Sequence, residues 1–244
     1  MKRLMVRLLI VAALMLSLVR FAGAGTPTGF LNKTIKMGDH TYKYVLYVPA
    51  DYTPKVKLPV ILFLHGSGER GADGLKQSEV GIGRAIRLHP ERYPALVVIP
   101  QCVEDKIWSA EMADFALKAL DDTVKQYKGD ASRLYLTGLS MGGFGSWDIA
   151  SAHPDKFAAA VICCGGGDPA KVASKVKNLP IWVFHGEKDG AVNVEQSRKM
   201  VQAITDAGGS TIKYTEYPGV DHNCWDNAYG DKEMTDWLFV QKNK

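Results

Sequence analysis

Ser140 stands in Gly138-Leu139-Ser140-Met141-Gly142, a G-x-S-x-G pattern that directly follows the apolar run 133–137 (RLYLT). Where a chain turns sharply from strand into helix at a serine, the residues two before and two after it crowd one another. Glycine at both removes the Cβ clash and leaves the hydroxyl raised above the sheet. The helix N-terminus behind it favours developing negative charge. The implied chemistry is nucleophilic attack, for which a serine needs a base to take its proton. Five of the six histidines have duller readings. His40 falls in an opening hairpin, His89 and His153 each precede proline, and His65 and His185 close strands in His-Gly pairs that shape loops. His222, in the loop 217–222 (YPGVDH) after the last strand, is the expected base.

A third group must hold the imidazole in the right tautomer and stabilise its cation. Asp189, just past the run 180–184 (PIWVF), gives the chain order Ser140, Asp189, His222. Asp168, Glu187 and Asp221 are competitors, with Asp168 next in rank because it follows the preceding strand. An oxyanion hole requires two backbone N–H groups near the serine. Met141 supplies one, and Ser67 or Gly68, in His65-Gly66-Ser67-Gly68, the other. Glu69 and Arg70 are expected to brace that loop. Gln101, Trp108 and Trp225 are candidate pocket residues. The same loop spells G-x-G-x-x-G from Gly66 to Gly71, a dinucleotide-binding pattern. Its third glycine leads into Ala72-Asp73-Gly74, with no helix whose N-terminus could hold a pyrophosphate, so NAD is not expected. No Walker loop, C-x-x-C or metal-spaced His/Glu set occurs, and neither cofactor nor metal is expected.

These residues have to be positioned by an alternating framework. Segments 30–37 and 41–48 alternate with period two around Gly38-Asp39 and read as a hairpin. Continuous apolar runs at 59–64 (PVILFL), 95–100, 133–137, 157–164 and 180–184 fit strands buried on both faces, and 211–217 reads as the last strand. Helices are expected over 79–88, 110–127, 140–151, 169–176, 194–207 and 232–240. The pattern predicts an α/β fold: a mostly parallel sheet, an antiparallel N-terminal hairpin, helices on both faces and no cap domain. The candidate residues then lie in loops after the carboxyl ends of strands.

Residues 1–24 carry Lys2, Arg3 and Arg7, an apolar run 8–19 too short for a bilayer, and Ala22-Gly23-Ala24, the order of a signal peptide cleaved after Ala24. The chain has 30 basic and 26 acidic residues; the leader holds four of the basic ones and no acid, so 25–244 is neutral. That balance gives no electrostatic case for nucleic acid or for stable membrane association after cleavage. One catalytic domain over 25–244, secreted or periplasmic, is expected. Cys102, Cys163, Cys164 and Cys224 could pair in an oxidising compartment or stay as buried thiols.

Taken in order, LFLHGSGERG, VIPQC, TGLSMGG, VFHGEKD and DHNCW resemble the α/β-hydrolase superfamily, and within it a branch of small secreted esterases. That branch is similar to dienelactone hydrolases, phospholipase/carboxylesterases and feruloyl esterases, with some members labelled predicted peptidases. The resemblance implies roles for Ser140, Asp189 and His222 that coincide with the reading of the residues. It implies a serine carboxylesterase acting on a small-molecule or saccharide ester, with short or aromatic acyl groups. A serine peptidase is the alternative, and a non-catalytic binding module a remote one. Dienelactone hydrolases use cysteine where this chain has Ser140, so lactone chemistry of that kind is not implied.

Overall fold

Strands form where the apolar runs can be covered on both sides. The computed structural model describes residues 26–243, so the expected leader lies outside the described residues. The strands are β1 (Gly29–Met37), β2 (His40–Val48), β3 (Val60–Leu64), β4 (Leu96–Pro100), β5 (Leu134–Leu139), β6 (Ala159–Cys163), β7 (Ile181–Gly186) and β8 (Ile212–Tyr217). They make one sheet in the order β1-β2-β4-β3-β5-β6-β7-β8. β1 pairs antiparallel with β2 and β2 with β4, while β3 to β8 run parallel. β3, β4, β6 and β7 are buried at every residue, as their unbroken apolar sequence requires. The edge strand β8 is half-buried throughout.

The helices are α1 (Ile82–Leu88), α2 (Glu111–Gln126), α3 (Met141–Ala152), α4 (Pro169–Val176), α5 (Glu195–Asp206), α6 (Trp225–Gly230) and α7 (Lys232–Phe239). Alternate strand residues feed two cores. Leu62, Leu136, Ile162 and Val183 pack with α2, α3, α4 and α5 on one face. Ile61, Phe63, Val161 and Phe184 pack with α1, α6 and α7 on the other. Among the described residues this is an α/β-hydrolase architecture with no cap: only α4 lies between β6 and β7.

The topology fixes where a site can form. From β3 the chain crosses to β4 on one side, whereas from β5 it crosses to β6 on the other. The carboxyl ends of β3 and β5 therefore bound a crevice at the switch point of the sheet. The loop after β3 holds Ser67 and Gly68, and β5 runs directly into Ser140.

Candidate active site

The turn at Ser140 is a strained one, and the residues around it explain how it is tolerated. Ser140 has φ 51° and ψ −120°, a backbone state that a non-glycine residue adopts only under constraint. Its N–H donates to the Cys163 carbonyl at 3.0 Å, and Phe144 N–H donates to the Ser140 carbonyl at 3.1 Å. A Cβ on Gly138 would sit 2.3 Å from the Gly142 carbonyl oxygen, and one on Gly142 would sit 1.9 Å from that of Leu64. Strand, turn and helix thus pass one another at distances only glycine allows.

The last two strands deliver the other polar groups. Asp189 lies in the loop after β7 with its side chain fully buried, and His222 in the loop after β8 with its side chain 24% exposed. His222 Nε2 is 3.0 Å from Ser140 Oγ, and His222 Nδ1 is 2.7 Å from Asp189 Oδ2. A carboxylate only accepts, so Nδ1 carries the proton and Nε2 faces the hydroxyl as acceptor. Asp189 Oδ1 accepts from the N–H of Ala191 at 2.9 Å and Val192 at 2.8 Å. Trp225 stands edge-on to the His222 ring, 5.2 Å between centroids.

The competitors serve the frame. Asp168 caps α4, accepting from Ala170 N–H at 3.1 Å and pairing with Lys171, whose ammonium holds its carboxyl below the usual range. Glu187 accepts from Gly219 N–H at 2.8 Å. Asp221 Oδ1 accepts from the N–H of His222 at 2.7 Å and Gly190 at 3.0 Å, which ties the two loops together.

Ser67 and Gly68 are exposed in a one-turn 3-10 helix, Ser67–Glu69, which follows Gly66, where an added Cβ would lie 3.6 Å from that of Ser140. Among the described residues, the N–H groups of Ser67, Gly68 and Met141 donate to no backbone acceptor outside their own helical turns. The loop is held from below by His65, whose Nδ1–H donates to the Gly66 carbonyl at 2.6 Å while Nε2 accepts from Cys102 N–H at 2.9 Å. Burial pushes the His65 pKa down to about 4, so the ring is neutral. After the third glycine of the Gly66–Gly71 pattern, the next helical turn begins at Lys76.

Two pocket expectations are corrected. Trp108 is 1% exposed, donating Nε1–H to the His65 carbonyl at 2.9 Å and standing edge-on to the His65 ring. Gln101, also 1% exposed, accepts from Gly74 N–H at 2.7 Å and donates to the Glu69 carbonyl at 3.2 Å. Both brace the loop and neither is open to a ligand. Phe144, one helical turn past Ser140, is 37% exposed, and Ile107, next to Trp108 in the chain, is 56% exposed. Phe144 lies at i+4 spacing from Ser140.

All four cysteines are free, buried thiols. Cys164, Asp189 and His222 each offer a ligand atom within 4.8 Å of the others. Asp189 and His222 already bond each other, and burial raises the Cys164 pKa well above the ordinary thiol value. A protonated thiol beside an occupied pair is a packing neighbour.

A family described as putative esterases matches residues 36–239. The chain belongs to that family. It is 37% identical to a thermostable esterase of known structure, with a TM-score of 0.77, over 87% of this chain and 63% of the other. An uncharacterized secreted protein of Arthroderma benhamiae is 28% identical over 206 residues, 68% of this chain. The chain spans about a fifth of that relative's length, the match covering 21% of it. A feruloyl esterase module from Clostridium thermocellum, complexed with sinapinate, shares the fold at 16% identity and TM-score 0.67, over 89% of this chain and 90% of that one.

Proposed function

We propose that the chain hydrolyses carboxylic esters through an acyl-serine intermediate on Ser140. The observation that carries this reading is the unbroken contact from Ser140 Oγ through His222 to the buried carboxylate of Asp189. His222 Nε2 takes the hydroxyl proton as Oγ attacks the ester carbonyl carbon, and the paired Asp189 stabilises the imidazolium that forms. The carbonyl oxygen becomes an oxyanion, met by the N–H of Met141 and of Ser67 or Gly68. Collapse breaks the bond to the alcohol oxygen, which leaves with the proton from His222. Water then repeats the sequence on the acyl group, His222 accepting its proton, and frees the acid and Ser140.

Membership of the esterase family supports an ester over an amide as substrate. An uncapped crevice leaves room for a bulky alcohol such as a sugar chain. Phe144, one helical turn past Ser140, and Trp225, edge-on to the His222 ring, offer apolar and aromatic surface for a short or aromatic acyl group. They offer no enclosed wall for a long acyl chain, whose methylenes each contribute about 0.8 kcal/mol when buried. The leader-like residues 1–24 support export, with the mature chain beginning at Gly25.

The test uses the purified protein without residues 1–24. A fluorophosphonate is expected to label the Ser140 peptide, and Ser140→Ala to lose roughly 10³–10⁶-fold in kcat. A panel of p-nitrophenyl esters, acetylated and feruloylated sugars and peptide amides should show turnover of short and aromatic esters. Labelling at another residue would end the mechanism. Rates climbing steadily beyond acyl chains of eight carbons would overturn the acyl preference, and dominant amide cleavage would replace the esterase reading with a peptidase.

A further inference from the structure

Asp189 has a second histidine behind it. His185, the penultimate residue of β7, is fully buried, and its Nε2 lies 2.9 Å from the Val192 carbonyl and 3.1 Å from Asp189 Oδ2, the oxygen that receives His222. Both neighbours are acceptors, so Nε2 carries a proton. The N–H points at Val192, and the positive edge of the ring flanks the carboxylate. On the far side, Nδ1 meets Ser197 Oγ at 2.7 Å, and that hydroxyl also reaches the Gly165 carbonyl at 3.2 Å. The ring is therefore gripped by α5 and by the chain beyond β6. Val192 is the residue whose N–H holds Asp189 Oδ1. One side chain thus fixes the loop that clamps one carboxylate oxygen and lies against the other.

We infer that His185 is a positioning residue for the acid, holding Asp189 in place and tempering how strongly Oδ2 draws on His222. This rests on the reading of Ser140, His222 and Asp189 as the catalytic set. A packing residue would need neither a proton on Nε2 nor contact with the carboxylate. The charged and titratable groups around this centre are Cys164 from the end of β6, Glu216 on β8 with its partner Arg198 on α5, and Asp221 beside His222. None of them lies between His185 and Asp189 Oδ2, which are in direct contact.

Removing the positive edge makes Oδ2 a stronger partner for protonated His222. The acidic limb of kcat/KM, which reports protonation of the base, then moves to higher pH, by about one pH unit. The experiment compares wild type with His185→Gln, whose amide reaches the Nε2 position, His185→Asn, whose amide reaches only the Nδ1 position, and His185→Leu. Melting temperature and fluorophosphonate labelling are measured on each. Expected is an upward shift of the limb with a fall in kcat for Asn and Leu, and a limb near wild type for Gln. If Leu fails to fold, Asn carries the comparison. A limb unmoved in Asn and Leu, or moved equally in Gln, overturns the inference and leaves His185 a packing residue. Failure of wild type to label at Ser140 overturns the underlying catalytic reading instead, whatever the variants do.

Discussion

His65 offers a test of how the loop that carries Ser67 and Gly68 is held. Its ring is fully buried and needs Nε2 unprotonated to accept from Cys102 N–H. Burial lowers its pKa from 6.5 to about 4, helped by the charge of Arg70 and opposed by the Gly66 carbonyl. Glu69 Oε2 lies 4.0 Å from Nδ1, where a carboxylate would favour the cation. Burial raises the Glu69 pKa too, which weakens that opposition as the medium becomes acidic. In the unfolded chain the ring protonates near 6.5, in the fold only near 4, so the unfolded state binds more protons between the two. The contribution is complete above pH 6.5 and is lost as pH falls through that window to about 4. At about 1.4 kcal/mol per tenfold difference in proton affinity, the whole loss is about 3 kcal/mol. His65→Gln removes the titration, so urea unfolding of both proteins from pH 8 to pH 4 isolates it. Wild type is expected to lose about 3 kcal/mol more than the variant across that range. Parallel stability curves would refute the claim that His65 is held neutral by burial.

Gly142→Ala is expected to cost far more activity than stability. A new Cβ 1.9 Å from the Leu64 carbonyl must push the elbow away, and a displacement near 1 Å can lower kcat about 10²-fold; kcat within twofold of wild type would show that the crowding is relieved elsewhere. Asp189→Asn should lower kcat by roughly 10³–10⁴-fold, since an amide no longer enforces the tautomer. Asp168→Asn should leave kcat intact and change stability little, since asparagine caps a helix as aspartate does; kinetics that reverse this order would move the acid to Asp168. Material exported by an expressing host should have an intact mass beginning at Gly25, and a retained 1–24 segment would replace export with anchoring.

What could be read from sequence follows from how local each signal is. The elbow at Ser140 is a five-residue steric problem, and the glycines that solve it are adjacent in the chain. Each expected strand and helix has a counterpart, because unbroken apolar runs and 3.6-residue periods survive without tertiary information. α1 begins at Ile82, later than the expected 79, since the preceding residues form a separate turn at Lys76–Ser78. α6 (WDNAYG) was not foreseen: Asn and Gly make it a poor helix, and its buried Ala228 and Tyr229 hold it against the sheet. Trp108 misled for a non-local reason. Its Cβ occupies the space that a side chain on Gly145 would fill, so a small residue on α3 draws the tryptophan inward. His185 gave no clue beyond closing a strand, because its partners Val192 and Ser197 lie in a loop and a helix whose approach depends on the fold.

The way the loops are joined explains how a site without a cap can keep its geometry. The loops after β7 and β8 are bonded to each other by Glu187 N–H to the Tyr217 carbonyl at 3.0 Å and Lys188 N–H to the Val220 carbonyl at 2.9 Å. Asp221 and Glu187 add side-chain ties in both directions. Asp189 and His222 therefore sit on one clamped platform at the β7–β8 side. Ser140 is fixed separately, by its strained turn and its bond to β6. Enzymes that close a lid on substrate use binding energy to assemble such groups; here they are assembled in advance, which lowers the cost of reorganisation during the reaction. Under the proposed function, the lack of a cap between β6 and β7 leaves the acyl group less enclosed. Discrimination then falls to apolar residues near Ser140 and His222, such as Phe144 and Trp225. Changes at those residues are then expected to retune the substrate while the hydrogen-bonded platform of the β7 and β8 loops stays as it is.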